Sequence, residues 1–127
     1  MRYIDKSKYI SKATILGYVE EGSDRSRMLY EAIKAAGHAY CPYSQFNVGA
    51  ALITTEGRIY MGCNVENVMY NGMSHAEQTA ITTAIVQQGS DMQIAEMVIW
   101  TPTPEPVPSC GGCRQLIREH AVDPNVM

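Results

Sequence analysis

A chain of 127 residues with 46% hydrophobic content is one domain's worth of sequence, able to bury roughly two-thirds of its unfolded surface without disulfide staples. A formal charge of -3 and a pI near 5.5 provide no basic stripe to displace counterions, which argues against a nucleic-acid partner and for a small neutral ligand. The first twenty residues hold Arg2, Lys6, Lys8 and Lys12 and no continuous apolar run, so they match neither a secretory leader nor a membrane span. The four cysteines then read as metal ligands or buried thiols of a reducing, cytoplasmic compartment.

Residues 1–22 carry no clear hydrophobic period and end in Glu20-Glu21-Gly22, an N-terminal extension ahead of a domain spanning 23–127. From Asp24, the apolar positions Met28, Leu29, Ala32, Ile33, Ala35, Ala36 and Ala39 recur at helical spacing behind Ser23 or Asp24 as cap. The pattern predicts a helix to about Tyr40, where Pro42 stops it for want of an amide hydrogen. Phe46–Ile53 reads as a largely buried strand, Thr54-Thr55-Glu56-Gly57 as a turn, and Arg58–Asn64 as the returning strand of an antiparallel hairpin. Just past its end, Asn64 and Glu66 share parity and so one side of an extended segment, a pairing that suits sugar hydroxyls.

Residues 75–88 place Ala76, Ala80, Ile81, Ala84 and Ile85 on one helical face before Gly89 ends the helix. Ile94–Trp100 predicts a third strand, and the proline-rich run from Thr101 to Pro108 a loop without ladder bonding. Cys110 to about His120 resumes helical character.

The chemistry concentrates in Ser74-His75-Ala76-Glu77-Gln78 and Cys110-Gly111-Gly112-Cys113-Arg114-Gln115. One histidine and two cysteines supply three ligands, so a tetrahedral zinc keeps its fourth position open for water. Glu77 is not needed as a ligand and is free to move protons. Taken singly, these signals have plainer readings. Ser74-x-x-Glu77 is a capping box in which Glu77 satisfies an amide, Cys110-x-x-Cys113 is a redox pair or half of a structural zinc site, Glu66 is a solvated carboxylate and Phe46 a core residue. Together, and with Asn64 and Glu66, they favour a catalytic zinc. Cys41 and Cys63 read as ordinary buried thiols, His38 and His120 as surface residues without a metal role.

From about Ala39 to Glu119 the chain resembles the cytidine deaminases. Five ordered motifs carry the resemblance: Tyr40-Cys41-Pro42-Tyr43-Ser44, Phe46-Asn47-Val48-Gly49-Ala50-Ala51, Gly62-Cys63-Asn64-Val65-Glu66-Asn67, His75-Ala76-Glu77 and Cys110-Gly111-Gly112-Cys113-Arg114-Gln115. The resemblance implies a three-layer α/β/α fold with a mixed sheet and zinc held by His75, Cys110 and Cys113. It further implies Glu77 as proton shuttle, Phe46 against the pyrimidine, Asn64 and Glu66 on the ribose, the Ala76 amide on the base carbonyl, and a homotetramer. His75 and Gln78 stand where short members of the family carry cysteine and arginine, a coupled change: one imidazole and two thiolates leave Zn²⁺ neutral, so no arginine is needed to offset charge. Pro108-Ser109-Cys110 inverts the family's Ser-Pro-Cys, and the domain is expected to be short at its C-terminal end, leaving a sheet edge near Trp100 for another segment or a partner subunit to cover. The function expected is hydrolytic deamination of cytidine and deoxycytidine. A related cytosine nucleoside as substrate, or a zinc-stabilised binding module, are the alternatives.

Overall fold

The computed structural model describes residues 2–3, 23–69, 71–104 and 107–122. Its elements, in chain order, are β1 (Arg2–Tyr3), α1 (Asp24–Ala36), β2 (Gly49–Thr54), β3 (Ile59–Cys63), α2 (Ala76–Gln88), β4 (Ile94–Trp100) and α3 (Gly111–His120). Apart from Arg2 and Tyr3, the expected extension over 1–22 lies outside the described residues.

Side-chain alternation in β2 divides the core into two. Ala51 faces one side with Val98 of β4, and against them pack Met28, Leu29 and Ala32 of α1. Ala50 and Leu52 face the other side, where Ala80, Ile81 and Ala84 of α2 and Ile117 of α3 close over Met97 and Ile99. The period-2 pattern of the strands meeting the 3.6-residue stripes of the helices thus yields the expected α/β/α layers. Hairpin β2–β3 is antiparallel, with Ala51 opposite Met61, and β4 lies antiparallel on the other side of β2, with Val98 opposite Ala51. The sheet order is β1-β4-β2-β3, and β1 is parallel to β4, which makes the sheet mixed. The β4 edge that the sequence leaves open near Trp100 is therefore met, at Val98 and Ile99, by the backbone of Arg2 and Tyr3. Among the described residues no helix is long and apolar enough to cross a membrane.

Two element boundaries differ from the sequence reading for local reasons. Helix α1 ends at Ala36 rather than near Tyr40, because Gly37 caps it and the Asn47 side chain donates to the Ala36 carbonyl at 3.2 Å. Phe46–Val48 stays out of the ladder although its pattern suits a strand. The Asn64 side chain takes the ladder's place there, donating to the Phe46 carbonyl and accepting from the Val48 amide, both at 2.8 Å.

Gly62 lets α2 approach β3 until no side chain fits between them. A Cβ there would lie 2.3 Å from the Ala80 nitrogen and 2.5 Å from the Ala76 carbonyl oxygen, both backbone atoms that cannot rotate away. Overpacking commonly costs about 1–3 kcal/mol, and a clash with helix backbone belongs at the top of that range. Gly62→Ala is expected to lower unfolding stability by about 3 kcal/mol, read as a shifted denaturant midpoint at unchanged slope. A loss below about 1 kcal/mol would show that α2 can step back freely.

Candidate functional site

Helices α2 and α3 begin side by side beyond the same end of the sheet, and each is capped by a residue with metal-binding chemistry. His75 is the N-cap of α2 and Cys110 that of α3, both with extended backbone. Cys110 Sγ accepts from the Cys113 amide at 3.4 Å, closing the first turn of α3. In α2 the capping falls to Gln78, whose Oε1 accepts from the His75 amide at 2.8 Å. The capping-box reading of Glu77 is thereby displaced by one residue. Glu77 is left free of that task, buried at 5% exposure beside the metal-binding groups.

His75 Nδ1 lies 3.2 Å from Cys113 Sγ and 3.3 Å from Cys110 Sγ, and the three donor atoms all fall within 4.8 Å of one another. Tetrahedral zinc with ordinary Zn–N and Zn–S bonds would hold such donors about 3.5 Å apart, so the cluster fits the ion after a small expansion. The donor chemistry agrees: imidazole and thiolate together select zinc over the hard cations. Burial pushes the Cys113 thiol pKa far up, and the neighbouring Glu77 and Cys110 push it further in the same direction. A fully buried thiol so placed keeps its proton unless a cation sits among these groups, and the free amides of two helix starts help to hold the resulting thiolates.

In front of the cluster opens a cavity of about 420 Å³. His75, Ala76, Glu77 and Cys110 form its floor, while Phe46, Asn64 and Glu66 line its walls. Of the residues expected to hold metal or substrate or to move protons, all but Cys113 line this space, and Cys113 lies buried behind it. Glu66 is 6% exposed, and its Oε1 accepts from the Tyr43 and Ser44 amides, both at 3.1 Å. Its Oε2 accepts from Ser44 Oγ at 2.5 Å. These bonds, the Ser44 hydroxyl first, hold the carboxyl below its ordinary pKa, so Glu66 is an anion in neutral solution.

Sequence reasoning passed over Ser44, Val48, Ile99 and Thr101, which also line the cavity. Val48 carried a usable signal, since it shares the parity of Phe46 two residues before it, whereas Ser44 is brought to the cavity by the left-handed turn at Gln45. Ile99 and Thr101 sit at the end of β4 on the face turned toward α2, a placement that follows only once strand order is known.

Residues 23–127 match the family described as the cytidine and deoxycytidylate deaminase zinc-binding region. The chain belongs to this deaminase family. A cytidine deaminase of Halalkalibacterium halodurans is 41% identical over 96 residues, covering 76% of this chain and 71% of the relative. One of Sporosarcina psychrophila is 42% identical over 96 residues, covering 76% and 69%. The crystal structure of cytidine deaminase from Mycobacterium tuberculosis superposes with a TM-score of 0.73 at 33% identity, covering 80% of this chain and 81% of that one. The likeness to these deaminases thus extends over most of this chain and of each relative.

Proposed function

We propose that this protein hydrolyses cytidine and deoxycytidine to uridine and deoxyuridine, with one water consumed and one ammonia released per turnover. The observation that carries the reading is a carboxylate without a capping role, Glu77, buried between a His/Cys/Cys cluster and a nucleoside-sized cavity. When bound, zinc supplies a Lewis acid with one open position, at which the pKa of water falls to about 7. Glu77 would take one proton from that water as its oxygen adds to C4 and pass it to the adjacent ring nitrogen. It would then take the second proton from the new C4 hydroxyl and give it to the amine as the C4–N bond breaks and ammonia leaves. The Phe46 ring packs on the pyrimidine, and the Ala76 amide at the start of α2 binds the base carbonyl. Asn64 and Glu66 bind sugar hydroxyls through the hydrogen and lone pairs that their loop contacts leave over.

The substrate is a free nucleoside rather than an oligonucleotide, since a chain of net charge -3 offers little overall attraction to a phosphate backbone. Reduced thiols at Cys110 and Cys113 suit the cytoplasm. The active form is a homo-oligomer, a tetramer by likeness to the family. Exposed Tyr40, Tyr43, Val65, Val68 and Met69 crowd the segments around the cavity and supply an apolar surface for another copy.

Purified protein of measured zinc content, incubated with cytidine, is expected to lose cytosine absorbance with stoichiometric ammonia. Free cytosine should turn over very poorly, because a site built for hydroxyls strands its polar groups when they are missing. No turnover of cytidine by zinc-loaded protein, or equal turnover of an oligonucleotide, would overturn the reading. Sedimentation equilibrium of the same preparation is expected to give four chains per particle, and a monomer would remove the oligomer from it.

A further inference from the structure

Ser44 stands exposed at the lip of the cavity, yet its hydroxyl is engaged on both sides. It donates to Glu66 Oε2 at 2.5 Å and accepts from the Phe46 amide at 3.1 Å, so one small side chain ties a sugar-side carboxylate to the segment bearing the aromatic wall. The residue between them, Gln45, has φ 56°, a left-handed conformation that side chains other than glycine's avoid. Such a conformation persists only where surrounding bonds impose it. Here they come from Glu66 on Tyr43 and Ser44, and from Asn64 on Phe46 and Val48.

A count of acceptor sites gives the arrangement a functional direction. A carboxylate offers about four lone-pair sites, two on each oxygen. The Tyr43 and Ser44 amides fill both sites of Glu66 Oε1, and the Ser44 hydroxyl fills one of the two on Oε2. The single remaining acceptor is thus on the atom that the Ser44 hydroxyl holds.

Resting on the cytidine deaminase reading, we infer that Ser44 is a positioning residue: its hydroxyl aims the last free lone pair of Glu66 into the cavity and fixes Phe46 opposite, and so sets nucleoside affinity. It touches neither the His75, Cys110 and Cys113 cluster nor Glu77, so its influence falls on binding and not on proton transfer.

The test compares Ser44→Ala and Ser44→Thr with the unaltered chain for cytidine kcat and KM and for zinc content. Phe46 is the only phenylalanine in the chain, so incorporation of 4-fluorophenylalanine gives a single ¹⁹F resonance that reports on the loop without turnover. Because a hydrogen bond to a charged group is lost, Ser44→Ala is expected to raise KM about tenfold or more, with kcat within about twofold, zinc unchanged and the resonance shifted or broadened. Ser44→Thr, which keeps the hydroxyl, should return KM to within about threefold and restore the resonance. An unchanged KM in Ser44→Ala, a kcat that falls as far as KM rises, or a threonine variant as impaired as the alanine one would each overturn the inference. Should the unaltered chain fail to turn over cytidine, the deaminase reading fails. The Phe46 resonance then decides alone whether Ser44 holds the loop.

Discussion

Glu77→Gln is expected to abolish cytidine turnover almost completely while zinc, fold and nucleoside binding stay in place. The substitution preserves volume and planarity at a position 5% exposed, so packing around the first turn of α2 should survive. It removes the one function that depends on a titrating oxygen, because an amide can neither take the proton from water nor return it to the ring and the leaving amine. Proton relays of this kind contribute about two to four orders of magnitude, equivalent to roughly 3–5 kcal/mol of barrier. Retention of zinc separates this result from a general loss of the site, and removal of a negative charge beside Cys113 gives no reason for the metal to leave. Activity within a factor of ten of the unaltered chain would reduce Glu77 to a structural carboxylate. Gln78→Ala provides the contrast. It removes the acceptor of the His75 amide and should cost about 1 kcal/mol of stability, the usual worth of a helix cap, with the proton relay intact.

The difference between Glu77 and Gln78 also marks the limit of what the residues alone disclose. Both sit in the first turn of α2, and either can reach back to an amide. The choice depends on whether the cap is Ser74 or His75, which is settled by backbone angles and not by residue type. Where local pattern and tertiary packing agree, the fold was legible. The hairpin follows from two apolar strands around Thr54-Thr55-Glu56-Gly57, and Gly57 indeed takes the positive φ of 82° that such a turn favours. Strand β4 runs over the expected Ile94–Trp100, and the buried face of α2 carries Ala76, Ala80, Ile81 and Ala84 as its spacing suggests.

What escaped the sequence is everything that depends on a side chain replacing a backbone partner, or on pairing between distant segments. Phe46–Val48 has the composition of a strand, but a side-chain amide sixteen to eighteen residues away takes its ladder bonds. The pairing of Arg2 and Tyr3 with Val98 and Ile99 joins opposite ends of the chain, and nothing in a two-residue stretch announces its partner. The metal cluster was the most legible feature, because its chemistry restricts residue type far more than packing does. Asn64 and Glu66 were legible as a pair with a common side, yet their principal partners in the structure are the backbone and hydroxyl groups of residues 43–48. A polar residue that shapes a loop and one that binds a ligand look alike in sequence, and here the two residues that hold the loop also line the cavity.

Cys113→Ala should strip the protein of zinc and lower its stability in one step, and these two losses should be the same loss. Cys113 is fully buried and approaches His75 Nδ1 at 3.2 Å, so the ion would join the start of α2 to the start of α3. Helix α3 has only ten residues, and Ile117 is its one fully buried aliphatic side chain, so it depends on that link more than α1 or α2 does. A ligand that binds only the folded chain stabilises it by RT ln(1 + [L]/Kd), about 4 kcal/mol at a thousandfold excess over Kd. Truncating a cysteine to alanine adds only a small packing loss, on the order of 1 kcal/mol. The diagnostic is therefore non-additivity. Exhaustive chelation of the unaltered chain should reproduce most of the destabilisation seen in Cys113→Ala, and chelation of Cys113→Ala should add almost nothing. If the variant keeps one zinc per chain, or if chelator and substitution destabilise by amounts that simply sum, the ion is held elsewhere and His75, Cys110 and Cys113 are not its ligands.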